Sequence, residues 1–311
     1  MKRYLCISLV ILTTLPTIGQ DAQYSHHMFS QMSVNPGYAG SSDMVVINAL
    51  NRNQWMKLGT ASPRYSVFSA NAPINLFGMS HGIGLIINND KYGLNNDIGL
   101  QLAYAYQKKM EIGDGKLGIG FSFGLNNSTF KASGLNGGSD PLIPKGEQAN
   151  NIFDMGLGVF YKSEKIYMGL STTHLIHGIR SNYQTVTDVL PLGRQYYFTA
   201  GYNYQLPNPM FVLVPSFLIQ SDGATTTLNF NTNVVYNNRI WGGLSYRAGT
   251  AVTALFGLEL LAGIRFGVAY DYETTLFRNA ATTGSIEVVV IYSFKLKKEK
   301  IPQRYKSIRF L

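Results

Sequence analysis

A strict alternation of apolar with small or polar residues recurs along most of the chain. Between residues 97 and 107 one face carries Ile98, Leu100, Leu102, Tyr104 and Tyr106, and the positions between them are small, polar or charged. A period of two that is kept over nine to eleven residues is the period of a β-strand, not of a helix. The pattern therefore predicts an all-β protein.

The alternation predicts fourteen strands of unusual length. Eleven residues at about 3.3 Å each, tilted by about 45°, span roughly 25 Å, which is the height of the apolar band on an outer-membrane barrel. We therefore predict a transmembrane antiparallel β-barrel over residues 45–294, with twelve or sixteen strands as the open alternatives. The predicted strands are 45–55, 64–72, 81–89, 97–107, 116–126, 152–162, 166–174, 195–205, 210–220, 226–236, 239–247, 251–261, 263–272 and 284–294.

Every charge that can be placed inside a clear strand falls on the face opposite the apolar residues. A soluble sandwich would bury that face in its core, whereas a barrel turns it towards a polar lumen. A basic residue at the lipid midplane would cost about 2 to 4 kcal/mol, so this sorting is what insertion into a membrane requires. The predicted lumen charges are Asp97, Asp154, Lys162, Arg247, Glu259, Arg265, Asp271 and Glu287.

The connections between the predicted strands are short and long in turn. If the chain enters from the periplasm, the short connections 163–165, 206–209 and 237–238 are periplasmic, and the long ones 127–151 and 175–194 lie outside the cell. Exposed apolar residues in the long connections suit contact with a partner. The candidate contact residues are Leu142, Ile143, Leu175 and Ile176.

Composition and the first residues agree with export. Charged residues make up 14% of the chain, against about 25% in soluble domains. Residues 1–19 join a basic start to an apolar run and predict a secretory signal peptide. The single cysteine, Cys6, lies inside this signal, so the mature chain has no disulfide and no thiol nucleophile. No apolar stretch of 18 residues follows, which excludes helical membrane spans.

Two segments lie outside the predicted barrel. Residues 20–44 have no clear period and are expected to plug the lumen or to project into the periplasm. Residues 295–311 hold seven basic residues and one glutamate, a net charge of +6. This tail is either a solvated end or a periplasmic contact for an acidic partner or peptidoglycan. Both ends of the mature chain are expected in the periplasm, where nucleic acid is not a partner.

Motifs of catalysis or metal binding are weak. Gly113, Gly115 and Gly118 fit G-x-G-x-x-G, but they open a strand rather than a helix that could receive phosphate. His26 and His27 lack a nearby carboxylate, and the histidines at 174 and 177 are expected at the surface. The lumen carboxylates Glu259 and Asp271 could act as acid and base, but pairing with Arg265 and Arg247 is the favoured interpretation. We expect no enzyme activity, cofactor or metal.

The segment before the first strand carries a family resemblance. Residues 20–25, Met28-Phe29 and Asn35-Pro36-Gly37-Tyr38-Ala39-Gly40-Ser41 resemble the opening of the PorP/SprF family, and Arg52-Asn53-Gln54-Trp55 resembles its R-x-Q-W element. By this resemblance the partner-binding or plug residues are Gln23, Tyr24, Met28, Phe29, Asn35, Pro36, Tyr38, Gly40, Arg52, Gln54 and Trp55.

The resemblance implies an outer-membrane protein of the type IX secretion and gliding system of Bacteroidota. Barrels of that family act with secreted surface proteins that carry a C-terminal sorting domain, and help them to reach the cell surface or to stay there. Other members connect the secretion machinery to a peptidoglycan-binding periplasmic protein. The polar inner face leaves a third possibility, a pore or transporter for a small solute. Lipid and lipopolysaccharide would surround the barrel in each case.

Overall fold

The computed structural model describes residues 21–131, 146–176, 193–261, 263–275 and 283–295. In these residues the chain forms fourteen long strands, of which the eighth is interrupted at Asn203 and resumes as Tyr204–Gln205. They are β1 (Val45–Asn53), β2 (Arg64–Leu76), β3 (Met79–Tyr92), β4 (Asn95–Lys109), β5 (Lys116–Lys131), β6 (Glu147–Lys162), β7 (Ile166–Thr173), β8 (Gln195–Tyr202), β9 (Phe211–Ser221), β10 (Thr226–Tyr236), β11 (Ile240–Arg247), β12 (Ala251–Leu261), β13 (Ile264–Glu273) and β14 (Ser285–Phe294).

The strands close into an antiparallel barrel. Each strand pairs with its neighbours along the chain, and β1 also pairs with β14, with Val45 opposite Phe294 and Asn53 opposite Ile286. Since every strand has two partners, the sheet has no free edge, as a membrane requires of a β-structure. The predicted fourteen-stranded barrel is confirmed.

The strands β5 and β6 are longer than the alternation indicated. Residues 127–131 pair with residues 147–151, so both ends of the predicted connection 127–151 belong to a hairpin. This extension carries polar residues on both faces, and Asn127 donates across it to Asn151 at 2.7 Å. Where a strand extends beyond the lipid, its outer face no longer needs to be apolar. The alternation of apolar residues therefore does not predict this part of β5 and β6.

The barrel is apolar outside and polar inside. Leu102 is 47% exposed and Leu170 is 62% exposed on the outer surface, whereas the inward-facing Gln220 and Asn231 are almost fully buried. Lipid covers the first set, and the second set needs hydrogen-bond partners within the lumen. The mixed lining of the lumen is therefore expected to be filled rather than empty.

The residues before β1 supply that filling. This N-terminal segment (residues 21–44) contains a one-turn helix, Gln31–Val34, and a 3-10 turn, Pro36–Tyr38, whose start is capped because the Asn35 side chain accepts from the Gly37 N–H at 2.9 Å. Most of its side chains between residues 24 and 41 are buried. Its contacts reach inward-facing residues of strands on every side of the barrel, which places it inside the lumen.

The N-terminal segment runs the length of the lumen. We call the end of the barrel at which β1 begins and β14 ends the terminal rim, and the opposite end the far rim. Asp43 binds Lys116 at the start of β5, on the terminal rim. Asp21 binds Tyr197 near the start of β8, and Gln23 binds Thr227 near the start of β10, both towards the far rim.

The two ends of the described chain therefore lie at opposite ends of the barrel. Asp21 is at the far rim and Lys295, which follows β14, is at the terminal rim. A segment that enters β1 from inside the lumen comes from the other mouth of the barrel. That both ends of the mature chain lie in the periplasm stays a prediction, because those ends lie outside the described residues.

None of the helices in the described part of the chain has the length and apolar character needed to span a bilayer.

Candidate functional site

The centre of the N-terminal segment rests on glycines of the barrel wall. Gly37 lies so close to β5 and β6 that a Cβ atom on it would come within 2.9 Å of the carbonyl oxygens of Gly118 and Gly158. A Cβ atom on Gly120 would come within 2.5 Å of the Pro36 carbonyl oxygen. Glycine on the inner face of these strands lets two backbones approach each other, which a larger residue would prevent.

Side-chain amides fix the same stretch to the wall. The Asn35 amide donates to the carbonyl oxygen of Val159 at 3.0 Å, and the Gln107 amide donates to the carbonyl oxygens of Gly37 at 3.1 Å and Ala39 at 2.5 Å. The Ser171 hydroxyl donates to the Val34 carbonyl at 2.7 Å. These bonds satisfy backbone groups of a segment that has little secondary structure of its own.

Gly40 completes this contact near the terminal rim. Its φ of +69° belongs to the left-handed region that glycine adopts readily, and a Cβ atom on it would come within 2.6 Å of the Gly82 Cα. Asn35, Pro36 and Gly40, which were predicted from the family resemblance, are therefore buried contacts of the N-terminal segment with the wall.

Four buried charges form an ion-pair network on the inner wall towards the far rim. It consists of Arg52, Arg247, Asp271 and Glu287, and each side chain is at most 5% exposed. Arg52 contacts Asp271 and lies 3.2 Å from Glu287, and Arg247 lies 3.4 Å from Asp271. Two positive and two negative charges balance, which lowers the cost of burying them.

The N-terminal segment binds directly to this network. The backbone N–H groups of Ser25 and His26 donate to the two carboxylate oxygens of Glu287 at 2.8 and 2.7 Å, and His26 Nδ1 lies 2.8 Å from the same carboxylate. The Ser25 hydroxyl donates to Asp271 at 2.7 Å and accepts from Arg52 at 2.9 Å. Charge-assisted bonds of this kind are about twice as strong as neutral ones.

A second polar contact holds the start of the segment. His174 Nε2 lies 3.1 Å from both carboxylate oxygens of Asp21, and His174 Nδ1 lies 2.7 Å from Asp154. The Tyr197 hydroxyl donates to Asp21 at 2.7 Å. Burial by itself lowers the pKa of His174, but the two carboxylates outweigh it and raise that pKa to about 10. Burial by itself raises the pKa of Asp21, but His174 and Tyr197 outweigh it and hold that pKa below its ordinary range.

His174 was expected at the surface and is buried. The alternation that ends β7 carries no sign of this, because one partner of His174, Asp21, lies 153 residues away in the chain and the other, Asp154, lies on β6. Ser25, His26 and Asp21 were also not predicted as lumen contacts. No local period marks these three residues, because their partners lie far away in the chain.

The R-x-Q-W element joins the first connection to the last strands at the far rim. Trp55 adopts left-handed backbone angles, its backbone N–H donates to Ser285 at 3.2 Å and its indole N–H donates to Glu273 at 3.3 Å. The Gln54 N–H donates to the Pro63 carbonyl at 2.8 Å. Trp55 and Gln54 thus brace the rim, whereas Arg52 faces the lumen.

The aromatic members of the predicted set pack against the wall. The Tyr24 hydroxyl donates to Tyr65 at 2.9 Å. The Phe29 ring lies 5.3 Å from Trp241, and the Tyr38 ring lies 5.1 Å from Phe160. Met28, Phe29 and Tyr38 line a cavity of about 300 Å³ at the terminal-rim end of the lumen.

The remaining lumen charges lie apart from the network. Asp97 accepts from Tyr92 at 2.9 Å. Lys162 and Arg265 lie over the rings of Tyr38 and Phe29, at 5.9 and 5.8 Å from the ring centres. Glu259 stands opposite Arg265 in the strand register but accepts from the Gly263 N–H at 3.2 Å, and no ion pair joins Glu259 to Arg265. Of the two pairings expected, the structure forms the one between Asp271 and Arg247.

The predicted outer contacts are only partly described. Leu175 and Ile176 are half-buried at the far rim, where the Leu175 N–H donates to the Met155 carbonyl at 3.0 Å. Leu142 and Ile143 lie outside the described residues, as do residues 1–19 and the basic tail beyond Lys295. In the described ranges no group of three potential metal ligands comes together.

The closed sheet, with apolar side chains on its outer surface and polar side chains inside, defines a β-barrel of the outer-membrane type. Its own N-terminal segment occupies the lumen. The family of type IX secretion system membrane proteins PorP/SprF matches residues 17–292 of the chain, and the protein belongs to this family. A search of curated proteins finds no significant match.

Solved structures resemble the chain in fold at low sequence identity. The Ralstonia pickettii toluene transporter TbuX is 11% identical, with a TM-score of 0.52 over 86% of this chain and 94% of that one. The Acinetobacter baumannii outer membrane protein Omp33 is 7% identical, with a TM-score of 0.46 over 81% of this chain and 99% of that one. At such identity the likeness to TbuX establishes the barrel fold alone.

Proposed function

We propose that this protein is a non-enzymatic outer-membrane barrel of the type IX secretion system that binds a surface-exported protein through that protein's C-terminal sorting domain. It helps the exported protein to reach the cell surface or to remain there. Membership of the PorP/SprF family supports a role in secretion. The packing of the N-terminal segment within the lumen is the single structural observation that favours binding over solute passage.

The argument against a diffusion pore rests on how the segment is held. It is bound by the ion-pair network at Ser25 and His26, by His174 at Asp21, and by the glycine contacts around Gly37. These attachments are spread along the whole lumen, so a solute would have to displace all of them. We therefore assign the segment the task of sealing the barrel, and the rims the task of binding.

The far rim is the better candidate for the outer, partner-binding face. Its connections include residues 132–146, 174–194 and 274–284, whereas the terminal rim has turns as short as residues 77–78 and 262–263. Long extracellular and short periplasmic connections are the rule for such barrels. The contact surface would then contain Leu142, Ile143, Leu175 and Ile176.

The test is purification of the tagged protein from native outer membranes in mild detergent, with mass spectrometry of what accompanies it. The proposal predicts a stoichiometric secreted protein with a C-terminal sorting domain. Leu175→Asp with Ile176→Asp should reduce its recovery, and Phe77→Asp, on the terminal-rim turn, should not.

Other outcomes contradict the proposal in different ways. Recovery of a periplasmic peptidoglycan-binding protein instead would assign the barrel to a bridging role. A barrel that emerges alone after crosslinking in cells would remove partner binding as its task. Steady single-channel conductance of the purified protein in planar bilayers would then favour a solute pore.

A further inference from the structure

The cavity at the terminal-rim end of the lumen has the size and the lining of a small-molecule binding site. Its volume is about 300 Å³, at the lower end of the range of small-molecule pockets. The N-terminal segment forms one side through Phe29, and the barrel wall forms the other through Phe160, Trp241 and Ile291. The lining is predominantly apolar.

Two cations, Lys162 and Arg265, also line this cavity. Each lies over an aromatic ring of the N-terminal segment, and Arg265 donates only to the Ser293 hydroxyl, at 3.3 Å. Within the described ranges neither side chain has a carboxylate within 4 Å. Glu259 stands opposite Arg265 in the strand register but forms no ion pair with it, so neither cation has an ion-pair partner among the described residues.

Trp241 supplies a third, independent observation. Its side chain is 95% buried, and its indole N–H has no hydrogen-bond partner among the described residues. Gly257 and Gly267 leave the space that the indole occupies, because a Cβ atom on Gly267 would come within 3.1 Å of the ring. A buried donor left without a partner costs about 1 to 3 kcal/mol, and a bound acceptor would recover it.

We propose that this cavity binds a small amphipathic carboxylate, with an apolar body among the aromatic and aliphatic walls and an anionic group that accepts from Arg265 and the Trp241 indole, both of which lie beside Phe29. The apolar lining disfavours an inorganic anion, and the two unpaired cations disfavour a neutral solute. The site is separate from the far rim, so it stands whether or not the far rim binds an exported protein.

The competing interpretation assigns the cations a structural role only. In that interpretation Lys162 and Arg265 hold Tyr38 and Phe29 by cation–π contacts, which contribute about 0.5 to 1 kcal/mol each at partly exposed sites. Such contacts would fix the segment without any preference for a charged ligand. A comparison of a carboxylate with its neutral ester separates the two interpretations.

The sequence offers an optical reporter for this comparison. The chain has two tryptophans, so Trp55→Phe leaves Trp241 as the only one. We would titrate this variant in lipid nanodiscs with a medium-chain bromoalkanoate, whose bromine quenches indole fluorescence on contact, and with the methyl ester of the same acid. We expect saturable quenching by the carboxylate at a concentration about tenfold below that needed for the ester, as one charge-assisted hydrogen bond provides.

Variants of the cations complete the test. Arg265→Gln should remove the preference for the carboxylate, whereas Lys165→Gln, in a turn outside the cavity, should keep it. Heat-modifiable migration in electrophoresis shows that each variant has formed the barrel. Equal quenching by acid and ester, quenching that never saturates, or an unchanged preference in Arg265→Gln would overturn the proposal.

Discussion

Arg52 on the first strand and Glu287 on the last strand face each other across the line at which the barrel closes, and their charged groups lie 3.2 Å apart. Both side chains are fully buried. Each of them also binds Ser25, Arg52 through the hydroxyl and Glu287 through the backbone N–H. One ion pair therefore joins two events, closure of the sheet and attachment of the N-terminal segment.

Removal of one partner from this network should be costly. We expect Glu287→Ala to lower the stability of the barrel by about 3 to 5 kcal/mol, because Arg52 keeps its burial and loses one of its two counter-charges. The temperature at which the barrel loses heat-modifiable migration measures this. Glu147→Ala, at the exposed pair with Lys131, is the control and should cost at most about 1 kcal/mol. Similar losses in both variants would contradict a special role for the network.

A single methyl group on the inner wall should disturb the segment. In Gly120→Ala the new Cβ atom meets the Pro36 carbonyl, whereas in Gly242→Ala its nearest neighbour is 3.7 Å away. We expect Gly120→Ala to expose the N-terminal segment to protease and to raise conductance in planar bilayers, at a cost of about 1 to 3 kcal/mol from overpacking. Gly242→Ala should behave as the unmodified protein. If both variants stay closed, the segment is not the seal.

The register of β4 can be tested with arginine at adjacent positions. Leu102 is 47% exposed to lipid, and Gln101 faces the lumen, where its amide donates to Asp154 at 3.1 Å. We expect Leu102→Arg to block insertion, since arginine on the lipid face costs about 2 to 4 kcal/mol. Gln101→Arg should insert, because Asp154 can receive the new charge. Equal yields of folded barrel from the two variants would refute the assigned faces.

The attachment of Asp21 should depend on pH. The pKa of His174 is raised to about 10, so its charged form is favoured while the segment is bound. Its contribution is fully present below the ordinary histidine pKa, near 6.5, and is lost as the pH rises through about 10. The protection factors of residues 21–27, which correct hydrogen exchange for its base-catalysed intrinsic rate, should therefore fall between about pH 6.5 and 10.

His174→Gln is the matched variant for this measurement. Its protection factors should be lower at neutral pH and should not fall further between about pH 6.5 and 10, because a neutral amide does not titrate in this range. The same fall in protection in His174→Gln would assign the transition to another group.

The path of the segment predicts opposite sides for two inserted epitopes. An epitope placed just before Asp21 lies at the far rim, and one placed just after Lys295 lies at the terminal rim. If the far rim faces outwards, antibodies on intact cells should bind the first epitope and reach the second only after the outer membrane is permeabilised. Labelling of both epitopes on intact cells, or of neither, would contradict a segment that crosses the lumen.

The sequence by itself determined the wall of the barrel. Lipid requires an apolar side chain at every outward-facing position. The alternation from Ile98 to Tyr106 therefore predicts the strand and its two faces, and the same pattern predicts that charges such as Asp97 and Glu287 point inwards. Outside the lipid this requirement is absent and the pattern no longer predicts strands. Residues 127–131 of β5 and 147–151 of β6 extend the barrel there with polar residues on both faces.

The tertiary structure alone decided what fills the lumen. The contacts of Ser25 with Glu287 and of Asp21 with His174 join residues 262 and 153 positions apart, and no local period encodes such pairs. The family resemblance marked Asn35 and Gly40 without a reason for their presence, and closure of the barrel supplies it. Once β1 meets β14, the segment ahead of β1 is enclosed, and each of its backbone groups must find a partner among the inward-facing side chains. The sequence specifies a polar interior, and only closure determines which polar groups meet there.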